Sequence, residues 1–158
     1  MNATSIVETA CEQALEIAPE KFPPDLHSNE LLAGAPAWYP FEYRAWELGE
    51  SVRQTLARHR KLRADPKVQS LLLRVILERN LRRGRQSFVF GLACKSAQPQ
   101  ARHIAPFLKD PDIQGQVLDA LIKMRARGFD EKVKPLLDSP YKWIRSLARK
   151  YIHTLGTA

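Results

Sequence analysis

Cysteine, glycine and long apolar runs are all scarce in this chain, and each scarcity removes a class of protein. Only Cys11 and Cys94 occur among 158 residues, far apart and each inside an apolar helical pattern. They imply buried structural thiols, with neither a disulfide framework nor a metal site. No apolar run approaches the roughly 18 residues that a membrane helix needs. The first twenty residues carry glutamates and no early lysine or arginine, unlike a secretory signal, so a cytoplasmic protein that avoids membranes is expected. No glycine-rich phosphate loop and no GxSxG turn is present. The histidines at 27, 59, 103 and 153 have no partner at metal-ligand spacing. No catalytic residue, cofactor, metal site or small-molecule substrate is indicated, and a non-catalytic protein is expected.

What is present is a repeat. Ile113, Gln114, Val117, Ala120 and Leu121 recur as Ile144, Arg145, Ala148, Tyr151 and Ile152, and in a weaker form as Gly84, Arg85, Phe88, Gly91 and Leu92. The copies lie 29 and 31 positions apart, and the matched positions form one helical stripe. A shorter apolar segment precedes each copy: Val68 to Ile76, then Ile104 to Leu108, then Val133 to Leu137, with Pro106 and Pro135 at matching places. Asp110-Pro111-Asp112 and Asp138-Ser139-Pro140 stand between the short and long segments as helix-start signals. Stacked helix pairs of about thirty residues follow from this pattern.

The segments DPDIQGQVLDAL and SPYKWIRSLARKYI resemble the second-helix signature of HEAT repeats. Gln114 stands where that signature usually has arginine, and Gly84 where it usually has valine. The resemblance covers roughly residues 66–156, as units at about 66–96, 98–127 and 129–156. It implies an all-α fold, a short right-handed α-solenoid with residues 1–63 as an N-terminal helical cap, packed as one domain. GRQSFVFGLA followed by the DPD repeat resembles small bacterial HEAT-repeat proteins encoded beside secreted toxins, which implies an immunity or adaptor role.

In the N-terminal third, Ile6, Val7, Ala10, Cys11, Ala14, Leu15 and Ala18 form one helical face opposite Glu8, Glu12 and Glu16. A turn of helix is expected around Leu31 and Leu32. A long helix is expected from near Phe41 toward Leu62, with Asp65-Pro66 as punctuation. Trp38, Tyr39, Phe41, Tyr43 and Trp46 concentrate at its start, either as a plug for the end of the stack or as interface anchors.

Charge is divided by region: residues 1–43 carry −6, residues 44–85 carry +8 and the remainder +6. Within the central block arginine outnumbers lysine ten to two, which favours contact with carboxylate or phosphate. A solvated helical face would show the same density. Arg53, Arg60, Arg63, Arg74, Arg82, Arg83 and Arg85 are the candidate basic surface.

A scaffold that binds a partner protein, a toxin in the immunity setting, is the leading expectation. In a HEAT stack the second helices line the concave side, so Gln86, Phe90, Gln116, Asp119, Lys123, Lys150 and His153 are the candidate contact residues. Nucleic-acid binding by the arginine block is the alternative. Because some HEAT-like proteins are DNA glycosylases, Trp143 and Arg145 could touch DNA, although this chain is shorter than those enzymes. The plainer reading wedges Trp143 against the preceding turn and pairs Arg145 with Asp110 or Asp112. Those two carboxylates are themselves read as helix-start caps.

Overall fold

A computed structural model describes residues 2–26 and 37–157, and among these every regular element is helical. The turn expected around Leu31 and Leu32 lies outside the described residues. Helix α1 (Ala3–Glu16) starts where the Asn2 side chain accepts from the Ser5 amide at 2.8 Å. Helix α2 (Pro40–Arg58) begins with proline at its first position, and the Glu42 carboxylate accepts from the Tyr39 amide at 2.9 Å. The apolar spacing predicts one helix to Leu62, but the backbone leaves helical angles at His59 and resumes as the single turn α3 (Arg60–Arg63). Asp65 caps α4 (Pro66–Leu77) by accepting from the Lys67 amide at 2.9 Å.

The second and third units of the repeat region alternate short and long segments as expected, whereas in the first unit α4 is longer than the helix that follows it. A 3₁₀ stretch over Arg79–Arg85 leads into α5 (Gln86–Gly91). Helix α6 (Ala101–Ile104) lies between 3₁₀ segments at Lys95–Gln100 and Ala105–Lys109, and α7 (Gln114–Lys123) follows. Helix α8 (Asp130–Val133) runs into a 3₁₀ segment at Lys134–Asp138, and α9 (Lys142–Leu155) closes the chain. Pro106 and Pro135 occupy the same place in their units, the start of a 3₁₀ segment, because each removes an amide that the α pattern would need.

These elements pack as two rows. One runs α1, α4, α6 and α8 with the 3₁₀ segments attached to the last two; the other runs α2, α5, α7, α9. Within the second row neighbours are parallel. Gly84, just ahead of α5, lies against Glu42 and Ala45 in the first turns of α2, and Gly115 of α7 lies under Trp143 of α9. At the other end Arg63 reaches the Ala93 carbonyl at 3.3 Å, and Arg127 reaches that of Leu155 at 3.3 Å. The second row therefore has an edge made of helix starts and an edge made of helix ends. Val52, Leu56, Leu72, Ile76, Phe88, Leu92, Ile104, Leu118 and Leu121 fill one core that spans both sides of Asp65-Pro66. Cys11 belongs to this core, and burial pushes its thiol up to about 12, while Cys94 is half-buried; both thiols are free.

Candidate partner-binding surfaces

The edge of helix starts contains three of the seven candidate arginines, and they are used internally. Arg85 has no exposed surface: its guanidinium meets Asp110 at 2.7 Å and donates to the carbonyls of Arg82 at 2.8 Å and Ile76 at 3.1 Å. Arg82, 6% exposed, pairs with Asp112 at 3.2 Å and with Asp25, and donates to the Pro23 carbonyl at 2.9 Å. Burial works against its charge, yet hydrogen bonds and attraction from Asp112 and Asp25 outweigh that and raise its pKa. Half-buried Arg83 holds Glu42 through its amide at 2.9 Å and its Nε at 3.2 Å, and lies over the Trp38 ring. Arg82, Arg83 and Arg85 are thus not an exposed basic surface. Burial requires a carboxylate partner for Arg82 and Arg85, which the Asp110-Pro111-Asp112 turn supplies, and Glu42 of α2 supplies one for Arg83.

Asp110 and Asp112 accordingly do more than cap. Asp110 accepts the Asp112 amide at 2.9 Å with one oxygen and binds Arg85 with the other. Arg145 does not reach either aspartate; it donates to the Ser139 carbonyl at 2.8 Å within its own turn. Arg85 occupies the equivalent place in the repeat and makes the bond to a neighbouring aspartate instead. The clue was the register itself, which aligns Arg85 with Gln114 and Arg145.

The remaining basic candidates separate. Arg74 is exposed on α4, in the other row, beside Glu8 and Glu12. Arg53 and Arg63 line a cleft of about 270 Å³ together with Phe90 and Lys123, where the ends of α2, α5 and α7 come together. Arg60 is exposed nearby on α3. In the cleft the Arg53 guanidinium lies 4.9 Å from the centre of the Phe90 ring, a cation–π contact, and Arg53 also approaches Glu50 at 3.5 Å.

Of the candidate contact residues, Phe90 and Lys123 share this cleft. Half-buried Gln86 donates to the Asp112 carbonyl at 3.0 Å, so it serves the turn. Half-buried Asp119 pairs with exposed Lys123 at 2.9 Å, and Gln116 is half-buried beside it on α7. Lys150 and His153 are exposed on α9. Phe90, Asp119 and Lys123 are thus brought together, and Lys150 and His153 lie on α9, the neighbour of α7.

Exposed apolar surface is concentrated at the edge of helix starts. Tyr141 and Trp143 open α9 at 58% and 50% exposure, and with Pro140, Leu147, Lys142 and Lys150 they bound a groove of about 790 Å³. Trp143 is not wedged under the preceding turn: its ring lies on Gly115, the only residue type that leaves room there, since a β-carbon would sit 2.0 Å from the ring. Among the described residues the other large exposed apolar side chains are Phe22, Tyr43 and Leu77; Phe22 lies over Arg82 and Tyr43 beside Trp38. In the aromatic group, Tyr39 stacks on Phe41 with ring centres 5.3 Å apart and bonds the Pro24 carbonyl at 2.6 Å.

No family model, curated protein or solved structure matches the chain. No described helix is long and apolar enough to cross a membrane, and no group of three or more potential metal-ligating side chains occurs among the described residues.

Proposed function

We propose that this chain is a non-catalytic scaffold that binds a partner protein, as an immunity or adaptor protein. The fold behind this reading is a short right-handed α-solenoid of HEAT-like helix pairs, closed at its N-terminal end by α1 and α2. Support for the solenoid comes from the parallel second row and from the matched prolines and aspartate turns. The observation that carries the binding role is the exposed Tyr141–Trp143 pair beside its groove, because large aromatics at half exposure are the anchors on which protein interfaces concentrate their energy.

Charge specifies the partner. Lys142 and Lys150 bound the groove beside the aromatic pair, and residues 139–150 carry no acidic side chain. A surface with an apolar residue ringed by carboxylates is complementary, and a secreted toxin of that character fits the immunity setting. Affinity capture on the immobilised protein, from lysate of cells carrying the neighbouring genes and treated with nuclease, tests the reading. A discrete protein should be retained by the wild type and lost with Trp143→Ser. Retention that vanishes on nuclease treatment, or that survives Trp143→Ser unchanged, contradicts it.

A further inference from the structure

The edge of helix ends differs in kind from the edge of helix starts. Every large exposed apolar side chain among the described residues belongs to the edge of starts or to the chain beside it. The opposite edge is cationic. Residues 57–64 contain no carboxylate and carry Arg58, Arg60 and Lys61, all exposed, with half-buried Arg63. Next along, Lys95 is exposed after α5. Arg125 and Arg127 follow α7, and with Arg102 they line a groove of about 730 Å³. Hydrogen bonds tie these ends into one strip: Arg63 to Ala93, Gln69 to the carbonyls of Arg63 and Ser96, and Gln98 to those of Met124 and Arg125. Among the described residues none of these eight cations makes an ion pair.

Favourable interaction with helix dipoles accounts for Arg58 and Lys123, which lie in the last turns of α2 and α7. Arg127 likewise serves the end of α9 through the Leu155 carbonyl, whereas the side chains of Lys95 and Arg125 make no ion pair among the described residues. The φ of Arg125 is +58°, in the left-handed region at the end of α7 where glycine is the low-cost residue. Arg82, the other arginine at positive φ, is held there by Asp25 and Asp112. At Arg125 the φ belongs to the cap that ends α7, where the amides of Arg125 and Ala126 donate to the carbonyls of Ile122 and Leu121 at 3.0 Å each.

We infer that the edge formed by the ends of α2, α5 and α7 is a binding strip for the phosphodiester backbone of nucleic acid, read without sequence preference. Parallel helices pack about 8–10 Å apart, so the three helix ends extend over roughly 16–20 Å. A duplex presents one phosphate charge per about 1.7 Å of its axis and matches an array of that length. An acidic protein is the poorer occupant, because a protein interface needs apolar anchors and the strip offers none of the large exposed ones. This site is separate from the groove at Trp143, and neither requires the other.

Anisotropy of a labelled duplex of about 20 base pairs, titrated with the purified full chain, tests the strip. The wild type should bind, and its affinity should fall about a hundredfold between about 50 and 200 mM salt, the loss for about four neutralised phosphates. Arg60→Glu with Arg125→Glu should weaken binding at least about tenfold, and Lys67→Glu with Arg74→Glu, the same charge change on α4, by less than about twofold. Arg125→Gly suits the left-handed backbone and should lower the salt slope by about 1, which keeps the test decisive if charge reversal unfolds the chain. No binding at the lower salt, equal losses for both double variants, or displacement of the duplex by polyglutamate at equal charge overturns the inference.

Discussion

Arg85 shows how a single residue can carry charge without offering it. Its guanidinium is enclosed, bonded to Asp110 and two carbonyls, and 5.7 Å from the Phe107 ring centre. Removing one member of a buried pair leaves the other charge stranded, at a cost of about 3–5 kcal/mol. Arg85→Ala should therefore lower the urea-unfolding free energy by about that amount, while Arg60→Ala on the exposed α3 should change it by less than about 0.5 kcal/mol. Equal effects would contradict the internal role. Cys11 supplies a second expectation. Burial holds its thiol protonated up to about 12 in the folded chain, against an ordinary value of 9.0. Between those two values the unfolded chain releases a proton that the folded chain keeps. This contribution to stability is complete below pH 9 and declines as pH rises, by at most about 1.4 kcal/mol per pH unit. At pH 8 a thiol reagent should label Cys94 and leave Cys11 untouched until denaturant is added.

Among the elements, Gly84 sets how closely α5 approaches α2. A β-carbon there would lie 2.7 Å from that of Ala45 and 3.0 Å from the Glu42 carbonyl, and neither neighbour can swing aside. Gly84→Ala should destabilise the chain by about 1–3 kcal/mol in thermal or urea unfolding. The sequence already carried this clue at Gly84, where backbones approach; Gly91 instead makes room for the side chains of Leu72 and Leu56. The stripes beginning at Ile113 and Ile144 likewise located α7 and α9 within two residues, and Asp65-Pro66 marked the start of α4. Two features were not legible. The break at His59 follows from backbone angles that no residue type there demands. The shortness of α5 follows from Arg82 at φ +50°, which its carboxylate partners impose from distant parts of the chain. Density of arginine gave the right region for positive charge but could not divide it, because a buried paired arginine and an exposed free one read alike in sequence. Lys95, Arg102, Arg125 and Arg127 fell outside the arginine block altogether; only the parallel packing of α5 and α7 aligns them with Arg60 and Arg63.

Across the whole molecule, two surfaces face opposite ways along the second row. Exposed aromatics and internally balanced arginines occupy the edge of helix starts, and cations without an ion pair among the described residues occupy the edge of helix ends. A positive strip accelerates encounter with anionic partners, though salt confines its reach to about 8 Å under physiological conditions. The exposed Tyr141 and Trp143 are apolar surface of a kind that salt does not screen, and under the proposed function they are what a protein partner would hold. The central claim is that the groove at Trp143 receives a specific protein. A photocrosslinking amino acid placed at position 143, irradiated in nuclease-treated lysate from the native host, tests this most directly, with the same probe at Lys67 on α4 for comparison. One discrete protein adduct at 143 and none above background at 67 is the expected result. The same diffuse adducts at both positions, or none at either, would contradict it.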